Sequence, residues 1–338
     1  MTTTPVETSR LDVRKAATER AVIDVLVVVV NFRTPDLTVS CLRSLVGQRG
    51  EGVSLRVVVV DNASGDGSTE GIQRAVREGG WGGWVDVVET ARNGGFAYGN
   101  NRGIEAGLAR YRPRYVLLLN SDTVVHSGCL RRCIEVMDGD ERIGAMSCCL
   151  LNGDGSVQNV SRRFPTPARM IVSALGLPWR SRLFAWANCD DLGWDRRIGG
   201  RDVDWLGGAF LFVRGQVLGR IGGLDERFFF YGEDIEFCHR VWRAGYRCYF
   251  DGAATTTHLG GQSSDPERLP ARSRVATMWK ARYLVQRLCF GRLAAWAVWG
   301  VDVPLTALRT LAAWVRGDPA RYAAESQLLS VLRKEARP

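Results

Sequence analysis

The first 125 residues alternate between short β-branched runs and helical stretches, and this alternation restricts the fold more than any other feature. It predicts four strands, at residues 25–32, 55–61, 85–89 and 115–120. It predicts three helices between them, at residues 36–46, 68–77 and 98–109. Residues 57–60 are four consecutive valines, apolar on both faces, as expected when helices cover both sides of a sheet. The N-terminal half is therefore predicted to be a doubly wound α/β unit with a largely parallel sheet.

The pattern changes after about residue 150, where Pro165, Pro167 and Pro178 interrupt a stretch rich in Arg and Trp. This stretch is interpreted as an insertion or an acceptor-facing region. Beyond it the sequence predicts a strand at 204–213, a helix at 234–244 and a short strand at 248–251. From residue 269 onward it predicts helices only.

The chain carries a net charge of +9, and residues 270–338 alone hold twelve basic and four acidic residues. The same region contains Trp279, Trp296, Trp299 and Trp314. Arg and Trp on amphipathic helices favour peripheral contact with an anionic membrane surface. Plain packing helices with solvated Arg faces are the alternative, and nucleic-acid binding is disfavoured because no recognisable module is present.

Several features predict a cytoplasmic protein. No charge-free apolar run approaches the roughly 20 residues that cross a bilayer. Residues 1–21 have basic side chains but no apolar core, so they are predicted to be a disordered tail and not a signal peptide. The nine cysteines are scattered without a CxxC pair, which favours buried, reduced thiols over zinc or disulfides.

Polar residues follow each of the four predicted strands, at 31–33, 61–64, 93–96 and 120–122. Ligands of open α/β sheets bind beyond the carboxyl ends of the strands. Turn chemistry alone explains one or two such clusters, because Asn, Asp and Gly favour turns, but four in succession predict a shared cleft.

Two common phosphate-binding motifs are missing. No GxGxxG follows the first strand, and no GxxxxGK occurs in the chain. In their place Asp61 suits hydrogen bonding to a base or ribose, and Asp122 suits a divalent metal that bridges a diphosphate. These residues predict a nucleoside diphosphate ligand.

At this point the sequence resembles a known family, the inverting nucleotide-sugar glycosyltransferases of family two with the GT-A fold. The resemblance covers roughly residues 24–265 and rests on six motifs in the family's order, VVNF at 29–32, DNASGDGS at 61–68, NGGFAYGNNRG at 93–103, LNSDT at 119–123, GGAF at 207–210 and FFFYGEDIEF at 228–237. The third and sixth motifs are most similar to those of bacterial rhamnosyltransferases that act on polyprenyl-diphosphate-linked sugars.

The resemblance implies a GT-A-like doubly wound mixed sheet. It implies a catalytic domain over 22–268, with a Rossmann-like nucleotide-sugar-binding half at 22–125 and an acceptor-binding half at 126–268. Residues 269–338 would form a basic, Trp-containing helical extension.

The family's metal motif is of the DxD type, and Asn120-Ser121-Asp122 occupies it with an amide in place of the first carboxylate. The resemblance makes Asp122 the one expected carboxylate ligand of Mg²⁺ or Mn²⁺, together with diphosphate oxygens and waters. His258 resembles a downstream histidine that approaches the metal or diphosphate in relatives. A turn aspartate and a structural histidine are the alternatives.

The resemblance assigns the general base to Asp234, with Glu233 beside it, for a single displacement at the anomeric carbon. Adjacent carboxylates at this point could instead be helix N-terminal charges matched to the dipole.

The remaining predicted site residues fall into two groups. The expected donor-binding residues are Asn31, Asp61, Asn93, Gly94, Gly95, Arg102, Asn120 and Ser121. For Arg102, a phosphate neutraliser or carboxylate partner and a solvated helix residue are both open. Gly207, Gly208 and Ala209 are expected on the acceptor side, with tight strand packing as the alternative.

The predicted function is transfer of a hexosyl group, L-rhamnose from dTDP-rhamnose, to a hydroxyl of a lipid-linked glycan at the inner membrane face. The alternatives are a soluble natural-product acceptor, a UDP-sugar or GDP-mannose donor, or an inactive nucleotide-sugar-binding protein. A nucleotidyltransferase is disfavoured because no Gly-rich loop follows the first strand, and a processive synthase because residues 239–242 lack its QxxRW pattern. Oligomeric state is left open.

Overall fold

The computed structural model describes residues 20–190, 197, 199–260 and 271–338. The strands are β1 Ala21–Asn31, β2 Leu55–Asp61, β3 Val85–Glu89, β4 Tyr111–Asn120, β5 Thr123–Val125, β6 Ile143–Leu151, β7 Ser161–Arg162, β8 Gly200–Val203, β9 Trp205–Leu206, β10 Phe210–Arg214 and β11 Arg247–His258. The helices are α1 Pro35–Gly50, α2 Ser68–Glu78, α3 Gly95–Arg110, α4 Cys129–Gly139, α5 Pro167–Ala174, α6 Gly215–Ile221, α7 Glu233–Arg243, α8 Ala271–Val285, α9 Arg292–Val315 and α10 Pro319–Lys334. A π-helical turn, Gln286–Phe290, joins α8 to α9.

The main sheet has the order β3-β2-β1-β4-β10-β6-β11-β5, with β8 paired to β11. Strands β1 to β4 are mutually parallel, and β10 runs antiparallel between β4 and β6. The strand order reverses at β1, so the carboxyl ends of β1 and β4 flank a topological switch point, where open α/β sheets bind ligands. The predicted mixed, doubly wound sheet is confirmed.

The valine-rich strands form the core because both of their faces are covered. Val27, Val28 and Val29 of β1 are fully buried. Helix α3 approaches β1 so closely that a Cβ on Gly103 would lie 2.3 Å from a methyl carbon of Val28. This contact holds the N-terminus of α3 over the carboxyl end of the sheet. Seven of the nine cysteines are buried and all nine are free thiols.

The predicted single strand at 204–213 is wrong. Residues 205–206 pair with β7 in a separate two-stranded sheet, and Phe210–Arg214 joins the main sheet as β10. The chain changes sheets at residues 207–209, where Gly207 N donates to Val160 O at 2.8 Å. The predicted short strand at 248–251 belongs to the longer β11, which has a register shift between Asp251 and Thr255.

The C-terminal helices form a second core with α5, built around Met170, Tyr283, Val298 and Val331. Two of the four tryptophans of this region support packing, since Trp279 and Trp299 lie against that core. None of the helices in the described part of the chain has the length and hydropathy needed to span a bilayer. The predicted tail lies outside the described residues as far as residue 19, and so does the predicted domain boundary at 268–269.

Candidate active site

The carboxyl ends of β1 and β2 are joined by a buried hydrogen-bond network centred on Asp61. Asn31 lies opposite Asp61 in the strand register, and its Nδ2 donates to Asp61 Oδ1 at 2.5 Å. Ser64 closes the loop after β2, because its backbone N and its Oγ donate to the same carboxyl group at 3.0 and 2.5 Å. Neither Asn31 nor Asp61 is exposed. The contacts of Asn31 and Asp61 with a donor stay predictions. In the structure both side chains hold together the carboxyl ends of β1 and β2.

The third polar cluster is tied to the second by the buried Asn62. Its Nδ2 donates to Asn93 Oδ1 and to Gly95 O, both at 3.0 Å, and Asn93 Oδ1 also accepts from Gly95 N. These bonds fix the loop that enters α3, which includes Gly94.

Gly95 has a positive φ of 86°, and a Cβ there would lie 2.0 Å from the carbonyl oxygen of Phe229. Phe96 N donates to that same oxygen at 2.9 Å. In this structure the glycine therefore admits the backbone of the loop before α7. Its predicted contact with a donor stays a prediction.

The metal-motif residues lie at the end of β4. Strand β5 pairs antiparallel with β11, with His258 opposite Thr123, and this pairing brings the imidazole beside Asp122. His258 Nε2 lies 3.3 Å from Asp122 Oδ1 and 3.2 Å from Asn120 Nδ2. The side chain of Asp122 is completely buried. Ser121, also buried, has its Oγ 3.3 Å from the hydroxyl of Thr34.

Gln158 determines which nitrogen of His258 carries the proton. The side-chain amide lies 2.6 Å from the backbone oxygen of His258, which can only accept, so the atom there is Nε2 of the glutamine. The amide oxygen then faces His258 Nδ1 at 2.8 Å and accepts from it. Nδ1 therefore bears a hydrogen, and Nε2 is the ring nitrogen that faces Asp122 and Asn120.

This pair of groups fits a divalent cation. Adjacent ligands of an octahedral ion at about 2.1 Å lie roughly 3 Å apart, close to the separation of His258 Nε2 and Asp122 Oδ1. Within the described ranges, no cluster of three or more His, Cys, Asp or Glu side chains could hold a metal. Of the described residues, Asp122 and His258 would supply two ligands, and water and a bound diphosphate could fill other positions.

The two predicted catalytic carboxyl groups stand at the N-terminus of α7, where Glu233 is buried and Asp234 is partly buried. Asp234 accepts from Gly208 N at 3.2 Å and from Ile235 N at 2.8 Å. Burial raises its pKa, and these two backbone bonds act in the opposite direction. Burial, and then the neighbouring charge of Asp234, raise the pKa of Glu233 to about 8. Oε2 of Glu233 accepts no hydrogen bond from the described residues. Because the pKa of each carboxyl group is raised, the pair resists carrying two negative charges at once.

Residues 207–209 connect the metal-motif strand to the catalytic loop. Asn120 N donates to Ala209 O at 3.0 Å, and the N–H of the adjacent Gly208 donates to Asp234 Oδ2. A Cβ on Gly208 would stand 3.3 Å from Phe96 and 3.9 Å from Asp234. Residues 207–209 thus link Asn120 of the metal motif to the carboxyl group of Asp234.

Arg102 lies in an ion-pair cluster on the outer face of α3. Its Nη2 lies 2.8 Å from Glu105 and 2.9 Å from Glu226, and the guanidinium stacks over Tyr98. The structure thus shows it as a partner of carboxylates, one of its two predicted roles.

Sequence reasoning missed Ser64, Gln158 and Phe229, which hold predicted site residues in place. Ser64 lies within a recognised motif, so its position was the available signal. Gln158 and Phe229 act on residues about 100 and 134 positions away in the chain, and no local pattern indicates such partners.

Comparisons with known proteins agree on the family. The family model described as "Glycosyltransferase like family 2" matches residues 23–279. The N-acetylglucosaminyl-diphospho-decaprenol L-rhamnosyltransferase of Mycobacterium tuberculosis is 29% identical over 237 residues, 68% of this chain and 73% of the relative. The rhamnosyltransferase WbbL of Escherichia coli is 29% identical over 170 residues, 48% and 60% of the two chains.

Among solved structures, the mannosyltransferase PcManGT of Pyrobaculum calidifontis, in complex with GDP-Man and Mn²⁺, has a TM-score of 0.53 at 16% identity. The match covers 96% of this chain and 93% of that one, and at this identity it bears on the fold alone. The protein belongs to glycosyltransferase family 2, has the GT-A fold and is a glycosyltransferase.

Proposed function

We propose that this family 2 glycosyltransferase transfers L-rhamnose from dTDP-rhamnose, with inversion, to a hydroxyl of a lipid-linked glycan acceptor, using Mn²⁺ or Mg²⁺. The relatives named as rhamnosyltransferases support the sugar, and the decaprenol-linked substrate in the name of one of them supports the acceptor class. The reaction would serve assembly of a cell wall or surface polysaccharide.

One observation carries the proposal: residues 207–209 bond the metal-motif strand at Asn120 on one side and the carboxyl group of Asp234 on the other. An inverting displacement needs a base on the acceptor side of the anomeric carbon and stabilisation of the leaving diphosphate on the opposite side. The backbone of this segment links groups suited to both tasks.

On the donor side, Asp122 and His258 would hold the cation. Bound there, the ion would neutralise the charge that develops on the diphosphate as the glycosidic bond breaks. Gln158 accepts from Nδ1 of His258, which orients the ring with Nε2 toward the cation site, where Asn120 Nδ2 lies 3.2 Å from that nitrogen. The imidazole ligand favours Mn²⁺ over the harder Mg²⁺.

On the acceptor side, Asp234 would accept the proton of the attacking hydroxyl. The N–H groups of Gly208 and Ile235 hold the carboxylate in one orientation, and burial makes it a stronger base than an exposed aspartate. Glu233 stays protonated at neutral pH, so it does not add a second negative charge beside the base.

A lipid-linked acceptor would require the protein to work at a membrane surface. The basic C-terminal region supports peripheral contact with the anionic inner face of the membrane.

The test is release of nucleoside diphosphate from dTDP-rhamnose, UDP-sugars and GDP-mannose, with an N-acetylglucosaminyl-diphospho-polyprenol acceptor and with Mn²⁺, Mg²⁺ or EDTA. We expect acceptor-dependent turnover of dTDP-rhamnose that EDTA abolishes, and a product of inverted anomeric configuration by NMR. Turnover of another donor would contradict the assigned sugar. A retained configuration would contradict the role of Asp234.

A further inference from the structure

The surface next to the acceptor side exposes large apolar side chains in a segment outside the basic C-terminal region. Residues 175–187 form two short 3₁₀ helices, Leu177–Trp179 and Arg182–Ala187. Leu175, Trp179, Leu183 and Trp186 are exposed there, with Trp179 and Leu183 each 75% exposed. A soluble surface does not gain from exposing two tryptophans and two leucines within twelve residues.

Helix α9 presents an apolar face of its own. Its exposed large side chains, Leu293, Trp296, Leu308, Leu311, Trp314 and Val315, recur at helical spacing along one side. The other exposed residues of the helix are Ala, Gly, Pro and two arginines. A helix of this length is about 36 Å long, so the stripe is long enough to lie along a surface.

These two features belong to one side of the molecule. Helix α9 packs against α5, and the guanidinium of Arg309 donates to Ala174 O at 3.0 Å, next to Leu175. Ser173 Oγ of α5 donates to Ala187 O at 2.9 Å, so the 3₁₀ segment is also attached to α5. We name the exposed apolar residues of 175–187 and of α9 together the docking face.

The charged residues within the segments that carry the docking face are mainly basic, and Asp154, Asp190 and Asp318 border these segments. Residues 155–189 contain five arginines and no acidic residue. Residues 286–317 contain four arginines and one acidic residue, Asp302, which is buried and pairs with Arg282 at 3.1 Å. An apolar surface with a basic rim complements the anionic headgroups and acyl chains of a bilayer. In a symmetric contact with a second copy, the same rim would face its own arginines.

We propose that the docking face inserts into the surface of an anionic membrane, with the 3₁₀ segment as a second anchor beside α9. The chain after the 3₁₀ segment returns to β7 through a bridge between Asp190 and Arg162, and β7 pairs with β9 immediately before residues 207–209. Insertion would therefore place the acceptor side of the cleft at the headgroup level. This inference rests on the proposed lipid-linked acceptor, although membrane binding can be measured without it.

The test is co-sedimentation of the full chain with vesicles of phosphatidylglycerol and phosphatidylcholine in equal parts, and with phosphatidylcholine alone. We expect binding to the anionic vesicles only. Two double variants, Trp179→Ser with Leu183→Ser, and Leu308→Ser with Leu311→Ser, should each reduce the partition coefficient about tenfold or more. The control variant, Val22→Ser with Val46→Ser, removes exposed apolar groups elsewhere and should bind as the wild type does.

If both double variants bind the anionic vesicles as well as the wild type does, the docking face does not mediate membrane binding. Absence of wild-type binding to these vesicles would also overturn the proposal. Binding that does not need anionic lipid would overturn the role of the basic rim. A dimer in sedimentation velocity that the same variants dissociate would assign the face to a second copy. Donor turnover in solution should be the same in the variants as in the wild type. A protein that binds vesicles but turns over no donor would contradict the proposed function and would leave the membrane-binding role of the docking face supported.

Discussion

Asp61 at the end of β2 is buried and Asp234 at the start of α7 is partly buried, and the surroundings of the two aspartates differ. Asp61 accepts hydrogen bonds from Asn31 and from two groups of Ser64, so its carboxyl group is engaged by its own loop. Asp234 is held by two backbone N–H groups and has a protonated acid beside it. The comparison suggests two different uses for an aspartate at the cleft: one whose carboxyl group is fully engaged by neighbouring side chains shapes the site, and one held by backbone N–H groups is available to react.

The largest effect should come from Asp234→Asn. Loss of the proton acceptor should lower the transfer rate about 10³-fold. The two backbone N–H groups donate to different oxygens of Asp234, so the amide keeps only one of these bonds and the thermal midpoint should fall slightly. Steady-state transfer and a thermal unfolding curve check this. Asp86→Asn is the matched control, since Asp86 pairs with Arg110 and belongs to β3. A rate near that of the wild type in the Asp234 variant would remove the distinction between the two aspartates.

The second test addresses Asp61. Asp61→Ala should leave Asn31 Nδ2 and the N–H and hydroxyl of Ser64 without their acceptor, and should cost roughly 3 kcal/mol in the free energy of unfolding. Chemical denaturation measures this loss. If the variant keeps its stability and loses only donor affinity, Asp61 acts as a ligand-binding residue and the comparison fails.

A smaller effect is expected at Gln158, which acts through His258. Gln158→Ala should weaken Mn²⁺ binding about tenfold, because nothing then fixes the tautomer with Nε2 unprotonated. Titration calorimetry gives the affinity, and ¹⁵N chemical shifts of the metal-free protein report the tautomer. Gln158→Glu keeps an acceptor for Nδ1 and should retain most of the affinity. An unchanged tautomer in the alanine variant would contradict the assignment.

The smallest effect is a change in pH dependence from Glu233→Gln. The wild-type rate should fall above about pH 8, where Glu233 ionises beside Asp234, and the glutamine variant should lack this alkaline limb. Glu233 stays protonated in the folded state up to about pH 8 but ionises near 4.5 when unfolded, so wild-type stability should fall across that window. Unfolding curves from pH 5 to 9 check this, and a slope that persists in the variant would contradict it.

The parallel half of the fold could be predicted closely because its signals are local. The valine-rich runs give β2 and β3 at their predicted bounds, β4 starts four residues earlier than predicted, and β1 starts four residues earlier and ends one residue earlier. The strand at Ile143–Leu151 was not predicted, since Met and Cys carry little strand preference. Residues 204–213 were assigned to one strand because hydrophobic pattern alone does not show where a chain changes sheets.

The candidate site was predictable in its membership but not in its contacts. The motifs brought Asp122, Asp234 and His258 into one hypothesis, and the structure places His258 beside Asp122. The approach of Gly95 to Phe229 depends on how two distant loops pack, and no periodicity within either loop records it.

In the proposed mechanism Asp122 and Asp234 have separate roles. Asp122 holds the donor through a cation, and Asp234 accepts a proton. The most direct test is calorimetric binding of dTDP-rhamnose with Mn²⁺ to the wild type, Asp122→Ala and Asp234→Asn, alongside nucleoside diphosphate release. We predict that Asp234→Asn keeps Mn²⁺-dependent donor binding without transfer, and that Asp122→Ala loses both. Full donor affinity in Asp122→Ala, or loss of binding in Asp234→Asn, would contradict the account.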